Sequence, residues 1–387
     1  MHSPQKPTDD DAFDREQTVL GEVWTLLGLT TDVSADGDWI RATLGGRSVF
    51  VQRFGEELRA YLNVCAHRFS PLRTADKGNG VIRCGFHHWQ YNKDGLATGI
   101  PKCKEMFGVD PRELDARLTP VEIATCGALI FGRFQGAGHQ KSLADEMGDA
   151  FAIIETLCNP ARSPRTLTTQ IAANWKLVVQ INLDDYHLVA VHPDTFGKHG
   201  YLRADAPYYY RLGRNSAYLY DGTEASLRVA ADECRRGTYA PSSFQIFLIF
   251  PNVLVVNMDT GPVRQVVVLQ YIAEAHDRTR SRVWYFPEPM TSAVKRSGWR
   301  GVAATLATPF VPYVLPFYLR KLFGEDNAVC EGIQSVAGQA PGRPILGRHE
   351  TRIAWFEEVY SALMADANPS AQSGVSGQSD SAVAPKP

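Results

Sequence analysis

Two short runs, Cys65-Ala66-His67 and Cys84-Gly85-Phe86-His87, together offer two thiols and two imidazoles, with sixteen residues between the runs. That donor set suits either a tetrahedral zinc or a 2Fe–2S centre in which histidines replace two cysteines on one iron. Zinc fingers usually group a cysteine pair and then a histidine pair, whereas each run here holds one of each. The alternation lets both thiolates reach one iron and both imidazoles the other. Neutral imidazoles make such a cluster less negative and raise its potential, which suits a relay fed by a nicotinamide-dependent reductase. The other cysteines, at 103, 126, 158, 234 and 330, are dispersed, and an odd total of seven reads poorly as a disulfide framework.

A second donor group lies in NWKLVVQINLDDYHLVAVHP, where His187 and His192 are five apart and Asp184 precedes the first by three. On a regular helix Asp184 and His187 stand about 60° apart and share a face, but His187 and His192 stand about 140° apart. One metal ion reaches both histidines only where the helix loosens, and Pro193 gives it a place to end. Two imidazoles and one carboxylate on one side of an iron leave positions open for O₂, the facial arrangement of non-haem Fe(II) oxygenases. His-x₄-His alone is common and fits two structural histidines equally well. The cysteine–histidine loops upstream are what tilt the reading towards metal.

The elements that must hold these groups can be sketched from periodicity. SVFVQRF (48–54) and LRAYLNV (58–64) alternate around a Gly55-Glu56-Glu57 turn, and GVIRC (80–84) and GALIFGRF (127–134) read as further short strands. This predicts a small all-β unit, closed by a linker at Gln135-Gly136-Ala137-Gly138. Beyond it, a strand near 166–172 leads into a helical segment. Strands follow near 216–221, 244–250, 252–258 and 264–272, and helices near 326–336 and 350–364, which together indicate an α+β domain. The first and last stretches read as polar tails. One stretch, 301–319, carries no charge but contains Pro309, Pro312 and Pro316, which fits a kinked apolar pocket wall better than a membrane span.

Bulk properties agree with a soluble chain of two domains: 387 residues, 44% hydrophobic and 21% charged. A formal net charge of −2 offers no electrostatic case for nucleic acid or an anionic membrane. The polar, acidic N-terminus lacks the pattern of a secretory signal, so a cytoplasmic setting is expected.

The loops CAHRFSPL and CGFHHWQYNKDGLATGIP resemble the two cluster loops of a Rieske domain, Arg68, Trp89, Gly95 and Pro101 included. Asn174-Trp175-Lys176 followed by Asp184-x-x-His187-x₄-His192-Pro193 resembles the catalytic domain of Rieske non-haem iron oxygenases. The resemblance covers about Trp24 to Ala365. It implies a Rieske 2Fe–2S domain over 21–137 and a helix-grip (START-like) α+β catalytic domain over 138–366, flanked by tails at 1–20 and 367–387. It assigns the 2Fe–2S cluster to Cys65, His67, Cys84 and His87. It assigns a mononuclear Fe(II) to His187, His192 and an acidic residue just before a helix in LFGEDNAVCEGIQSV (322–336). Aligning Glu-Asp puts that ligand on Asp326, with Glu325 and Glu331 as alternatives.

Asp184 matches the family's bridging acid, which hydrogen-bonds an iron histidine of its own subunit and a cluster histidine of the neighbour. Asp185 beside it is expected to face solvent. Three departures stand out: Phe69 and His88 where glycine is common, which makes His88 a competing ligand, and Gln180-Ile181 where Glu-Asn is frequent, with Asn182 after it. The resemblance further implies a homotrimer, an NAD(P)H-dependent reductase with or without a ferredoxin, and room for an accessory beta subunit. The substrate is expected to be a small organic, first of all aromatic, molecule attacked with O₂. Monooxygenation or demethylation at an O-methyl or N-methyl group is the alternative. Readings from other classes are a Rieske electron carrier, which leaves the second histidine group unexplained, and a hydrophobic-ligand binder, which leaves the loops unexplained.

Overall fold

The computed structural model describes residues 10–136, 141–161, 164–193, 208–220, 222–240, 244–259, 264–288 and 311–367. In the N-terminal half, strands Arg47–Phe54 and Glu57–Leu62 pair antiparallel, with Gly55 at φ 57° in the turn between them. They lie in a sheet ordered Thr25–Leu29, Leu129–Arg133, Pro120–Cys126, Glu57–Leu62, Arg47–Phe54, Asp38–Leu44, Lys77–Asn79. Strand alternation divides its side chains. Val49, Val51 and Ala60 join a core with Leu27 and Ile130. Phe50 and Tyr61 face the other way, onto Cys65, Cys84 and Trp89. One face of this sheet is therefore the floor beneath both cysteine–histidine loops. The second loop is the tip of a separate small sheet, Ile82–Arg83, Gln90–Tyr91 and Ala97–Gly99.

The C-terminal half is built on an antiparallel sheet ordered Arg165–Ile171, Arg278–Glu288, Arg264–Ala275, Val253–Asp259, Gln245–Ile249, Asn215–Leu219, Tyr209–Leu212. Both faces are buried, which is why its central strands read as nearly continuous apolar runs. Leu254, Val256, Val267 and Leu269 pack towards the helices Trp175–Gln180, Val311–Val336 and Thr351–Asp366. Val253, Val255, Val266 and Val268 pack towards the helices Ala150–Leu157 and Ser226–Arg236 and towards Leu26, Leu129 and Phe131 of the first sheet. The two halves thus share a core, and Gln270 Nε2 donates to the Leu26 carbonyl at 2.6 Å across the join.

Several expectations need correction. Residues 10–20, expected as tail, form a helix with Glu16, Gln17 and Leu20 buried. Glu16 accepts from Trp175 Nε1 (3.0 Å), Lys176 Nζ (2.6 Å) and the Tyr360 hydroxyl, so a polar-looking segment is held by one buried carboxylate. The helix expected to begin at 326 runs from Val311 to Val336, with Pro316 inside it. Pro316, the sixth residue, lacks the amide that would donate to the carbonyl of residue 312, so the helix gives up one bond near its start and continues. Among the described residues no helix is long and apolar enough to cross a membrane. Pro309, like 301–310 and the tail 368–387, lies outside the described residues. The helices at 143–147, 150–157 and 226–236 and the strands 209–212 and 278–288 add to the elements expected from periodicity.

Candidate metal centres

The two cysteine–histidine loops have the same backbone construction. Cys65 N donates to Ser70 O and Phe69 N to Cys65 O; Cys84 N donates to Trp89 O and His88 N to Cys84 O. Closing so tight a turn drives its fifth residue into the left-handed region: Phe69 has φ 60° and His88 φ 58°. The two departures from glycine therefore sit where a Cβ is strained, by about 1–2 kcal/mol each. Both side chains point outward, Phe69 at 78% exposure, and His88 is exposed where His87 is half-buried. Gly95 is needed for a different reason: at φ 74°, a Cβ there would meet Tyr61 Cε1 at 2.8 Å.

The loops bring their four donors to one place. Cys65 and Cys84 are both 1% exposed and unbridged, and the rings of His67 and His87 lie 4.7 Å apart. Trp89 stacks on His67 at 4.7 Å and fixes that ring's plane. The Tyr91 hydroxyl lies 3.0 Å from Cys65 Sγ, where it can donate to a thiolate. Burial pushes the Cys65 thiol up in the metal-free chain, so it needs a metal to ionise. His87 Nδ1 is buried without a hydrogen-bond partner, which suits a metal ligand. Donors around one tetrahedral zinc stand about 3.3–3.8 Å apart. Here no three of the four donors lie within 4.8 Å of one another, the wider spacing that two irons and bridging sulfides need. The residues fit a 2Fe–2S cluster better than zinc.

The second centre forms where the chain loosens. After the helix Trp175–Gln180 and a 3₁₀ turn, Asp184 is extended (φ −115°, ψ 161°), not helical. Its Oδ1 accepts from His187 N at 3.0 Å and meets His187 Nδ1 at 2.8 Å, so the acid closes the turn that leads into the next short helix while gripping the imidazole. That helix, Leu188–Val191, lasts one turn and stops at His192. The two rings thereby come within 5.4 Å despite their unfavourable helical phase. His187 Nε2 lies 3.6 Å and His192 Nε2 2.9 Å from Asp326 Oδ1, on the long helix. That oxygen is buried with no hydrogen-bond partner, and His187, His192 and Asp326 are the three-donor group within 4.8 Å among the described residues. Two imidazoles and one carboxylate oxygen fit a mononuclear iron with open positions.

Neighbouring acids have other work. Glu325 Oε2 meets His192 Nδ1 at 2.8 Å, so Glu325 orients that ring from behind. Glu331 accepts from the Ala172 amide at 3.0 Å and faces away from the histidines. Gln180 donates to Glu357, and Asn182 reaches the Tyr271 hydroxyl at 3.2 Å. Asp185 is buried, not solvent-facing: Oδ1 accepts from Tyr209 OH at 2.9 Å and pairs with His349 Nδ1 at 2.8 Å. Its partners lie far along the chain, on the strand Tyr209–Leu212 and at His349, where local sequence gives no sign of them.

Above the triad is a cavity lined mainly by apolar and aromatic groups, among them Tyr209, Tyr218, Phe244, Val256, Met258 and Phe323, with Arg352 at one side. The strands expected near 216–258 supply much of this wall; from the 301–319 stretch, the described Leu315 and Leu319 go into the core instead. The sequence reading misses Arg352 and the supporting roles of Glu325 and Asp185. Only Glu325 has a signal there, its place beside Asp326.

The Rieske [2Fe-2S] domain family matches residues 23–118, and the ring hydroxylating alpha subunit (catalytic domain) family matches 159–366, over half the chain. The chain belongs to the Rieske oxygenase alpha subunits. It is 32% identical over 190 residues to the glycine betaine monooxygenase oxygenase subunit of Pseudomonas aeruginosa, covering 46% of this chain and 41% of that protein. The matched stretch thus spans less than half of that relative. The chain's fold is similar to that of a solved quaternary ammonium Rieske monooxygenase (TM-score 0.71, 16% identity, 94% of this chain and 95% of the other). Naphthalene 1,2-dioxygenase from Rhodococcus sp. is also similar (TM-score 0.67, 21% identity, 91% of each chain). The Rieske alpha subunit carries a 2Fe–2S cluster and a mononuclear iron, in keeping with the two donor sets described above.

Proposed function

We propose that this chain is the terminal oxygenase subunit of a system in which an NAD(P)H-dependent reductase, with or without a ferredoxin, supplies electrons, and O₂ oxidises a small organic substrate. The observation that carries the reading is the convergence of His187, His192 and Asp326 beneath an apolar cavity, in a chain that also holds the Cys65–His67 and Cys84–His87 loops. When bound, the cluster stores one electron and the mononuclear iron activates O₂. The protein's residues set the stage. Asp184 and Glu325 hold each imidazole by Nδ1 and leave Nε2 for iron. The apolar lining excludes water and holds the substrate against the open side of the triad.

In this reading residues 21–137 form the electron-receiving unit and 138–366 the oxygenating one. Asp184 lines both the cavity and a surface groove that includes Leu177, Ile181, Val329 and Ile333. That position supports the bridging role, in which a neighbouring copy's cluster loops dock over the groove in a homotrimer. The walls of Tyr209, Tyr218 and Phe244 support an aromatic substrate. The similarity to glycine betaine and quaternary ammonium monooxygenases favours a second reading, monooxygenation at an N-methyl group; the same rings hold cations well. The test is iron and sulfide content together with substrate-dependent O₂ uptake and NADH coupling, over an aromatic and N-methyl panel with a surrogate reductase. Three irons per chain and coupled uptake support the reading. Two irons and no uptake reduce the chain to a carrier, and no iron leaves a binder.

A further inference from the structure

Among the described residues lining the cavity, Arg352 is the only arginine or lysine, and it is 1% exposed. A guanidinium has five N–H donors and cannot shed its charge as a buried lysine can. Arg352 satisfies few of them: Nε donates to Ser216 Oγ at 3.1 Å, and Nη2 reaches the Ser216 carbonyl at 3.5 Å. Among the described residues no carboxylate pairs with it. The nearby acid in the lining, Asp185, is turned to Tyr209 and His349 through Oδ1. Burial pushes Arg352 down to about 10, so it stays cationic at neutral pH.

A buried cation with spare donors and no ion-pair partner is costly unless something completes it. Water alone solvates it poorly in so apolar a cavity. We infer that Arg352 anchors an anionic group of the substrate, a carboxylate whose two oxygens match the guanidinium fork, so that the substrate is a small organic acid with its apolar part against the iron triad. This rests on the cavity's being the oxygenase's substrate site, as proposed above. It also divides the labour: the aromatic walls and triad receive the carbon that is oxidised, and Arg352 sets the distance at which it is held. The competing role for Arg352 is that of an internal counter-charge to Asp185, which predicts no selectivity among ligands.

The experiment uses the full chain loaded with both metals and needs no turnover. Small aromatic and N-methylated carboxylates, benzoate and glycine betaine among them, are each matched with their primary amide, and binding is read by calorimetry and by ligand-induced thermal shift. At least one carboxylate should bind tenfold or more tightly than its amide. Arg352→Met should weaken that carboxylate about 10–100-fold while leaving iron content and amide binding unchanged, and Arg352→Lys should recover part of the loss. Equal binding of acids and amides, or no binding by any acid, overturns the anchor, and neither result depends on a variant that folds. A Met variant that loses stability but keeps the acid-to-amide ratio also overturns it, in favour of the counter-charge. O₂ uptake with neutral compounds alone would remove the anchor but spare the oxygenase, whereas acid-selective binding without any uptake would do the reverse.

Discussion

The Nδ1 atom of His192 lies 2.8 Å from Glu325 Oε2, while its Nε2 lies 2.9 Å from Oδ1 of the very next residue, Asp326. With Nδ1–H donated to Glu325, a neutral ring would set a lone pair against a carboxylate oxygen. That contact is stable only with a cation between the two. The two acids favour positive charge on this ring: burial lowers the His192 pKa, but Asp326 and Glu325 raise it and prevail. A metal ion held by His192 and Asp326 would supply that positive charge.

Replacing Glu325 by alanine should therefore weaken mononuclear iron binding about 10–100-fold without removing it outright. Asp326→Ala and His187→Ala should each empty the site, and all three variants should keep the cluster's absorption. Iron per chain, titrated anaerobically, checks this. A Glu325 variant as empty as the Asp326 variant would make Glu325 a ligand.

Cys84→Ala should abolish the cluster's visible absorption, since it removes one of the two loop thiols that would hold the irons. His88→Gly should do the opposite of harm. It removes a Cβ at φ 58° and leaves His87 in place, so the spectrum should persist and stability rise by up to about 1 kcal/mol after the entropy cost of glycine. Loss of colour in the glycine variant would reinstate His88 as a ligand.

Asp184→Asn keeps an acceptor for the His187 amide but loses the charge beside His187 Nδ1. Both metals should remain and turnover should fall by at least about a hundredfold, as other acid-for-amide changes behind a catalytic histidine do. Stopped-flow reoxidation of the reduced cluster, with substrate and O₂ present, should be slowed in step. Near-normal product formation would rule out the bridge.

Glu16→Ala removes the common acceptor of Trp175, Lys176 and Tyr360 and leaves a nearly buried ammonium unpaired. A loss of about 3–5 kcal/mol is expected, visible in chemical denaturation. Deleting residues 1–20 should cost at least as much, whereas a true tail could be trimmed without effect.

The cluster loops are legible in the linear chain because everything about them is local. Candidate ligands, turn and strain lie within six residues each, so composition and spacing bring out Cys65, His67, Cys84 and His87 as a donor set. The same holds for His187 and His192, although their approach depends on a helix that stops after one turn. Strands are legible where alternation or long apolar runs announce them, and hidden where segments are short or polar.

What lies beyond the reach of a local pattern is settled by packing. Glu325 and Asp326 are adjacent and chemically alike, but successive helical residues point about 100° apart, so the rotation of one helix against the sheet decides which meets Nε2 and which Nδ1. Arg352 enters the cavity, and Glu16 ties down the N-terminus, through contacts with residues distant in the chain. A linear sequence specifies the kinds of donors and their local turns; only the folded chain sets the facing between remote elements, because that depends on how whole surfaces fit together.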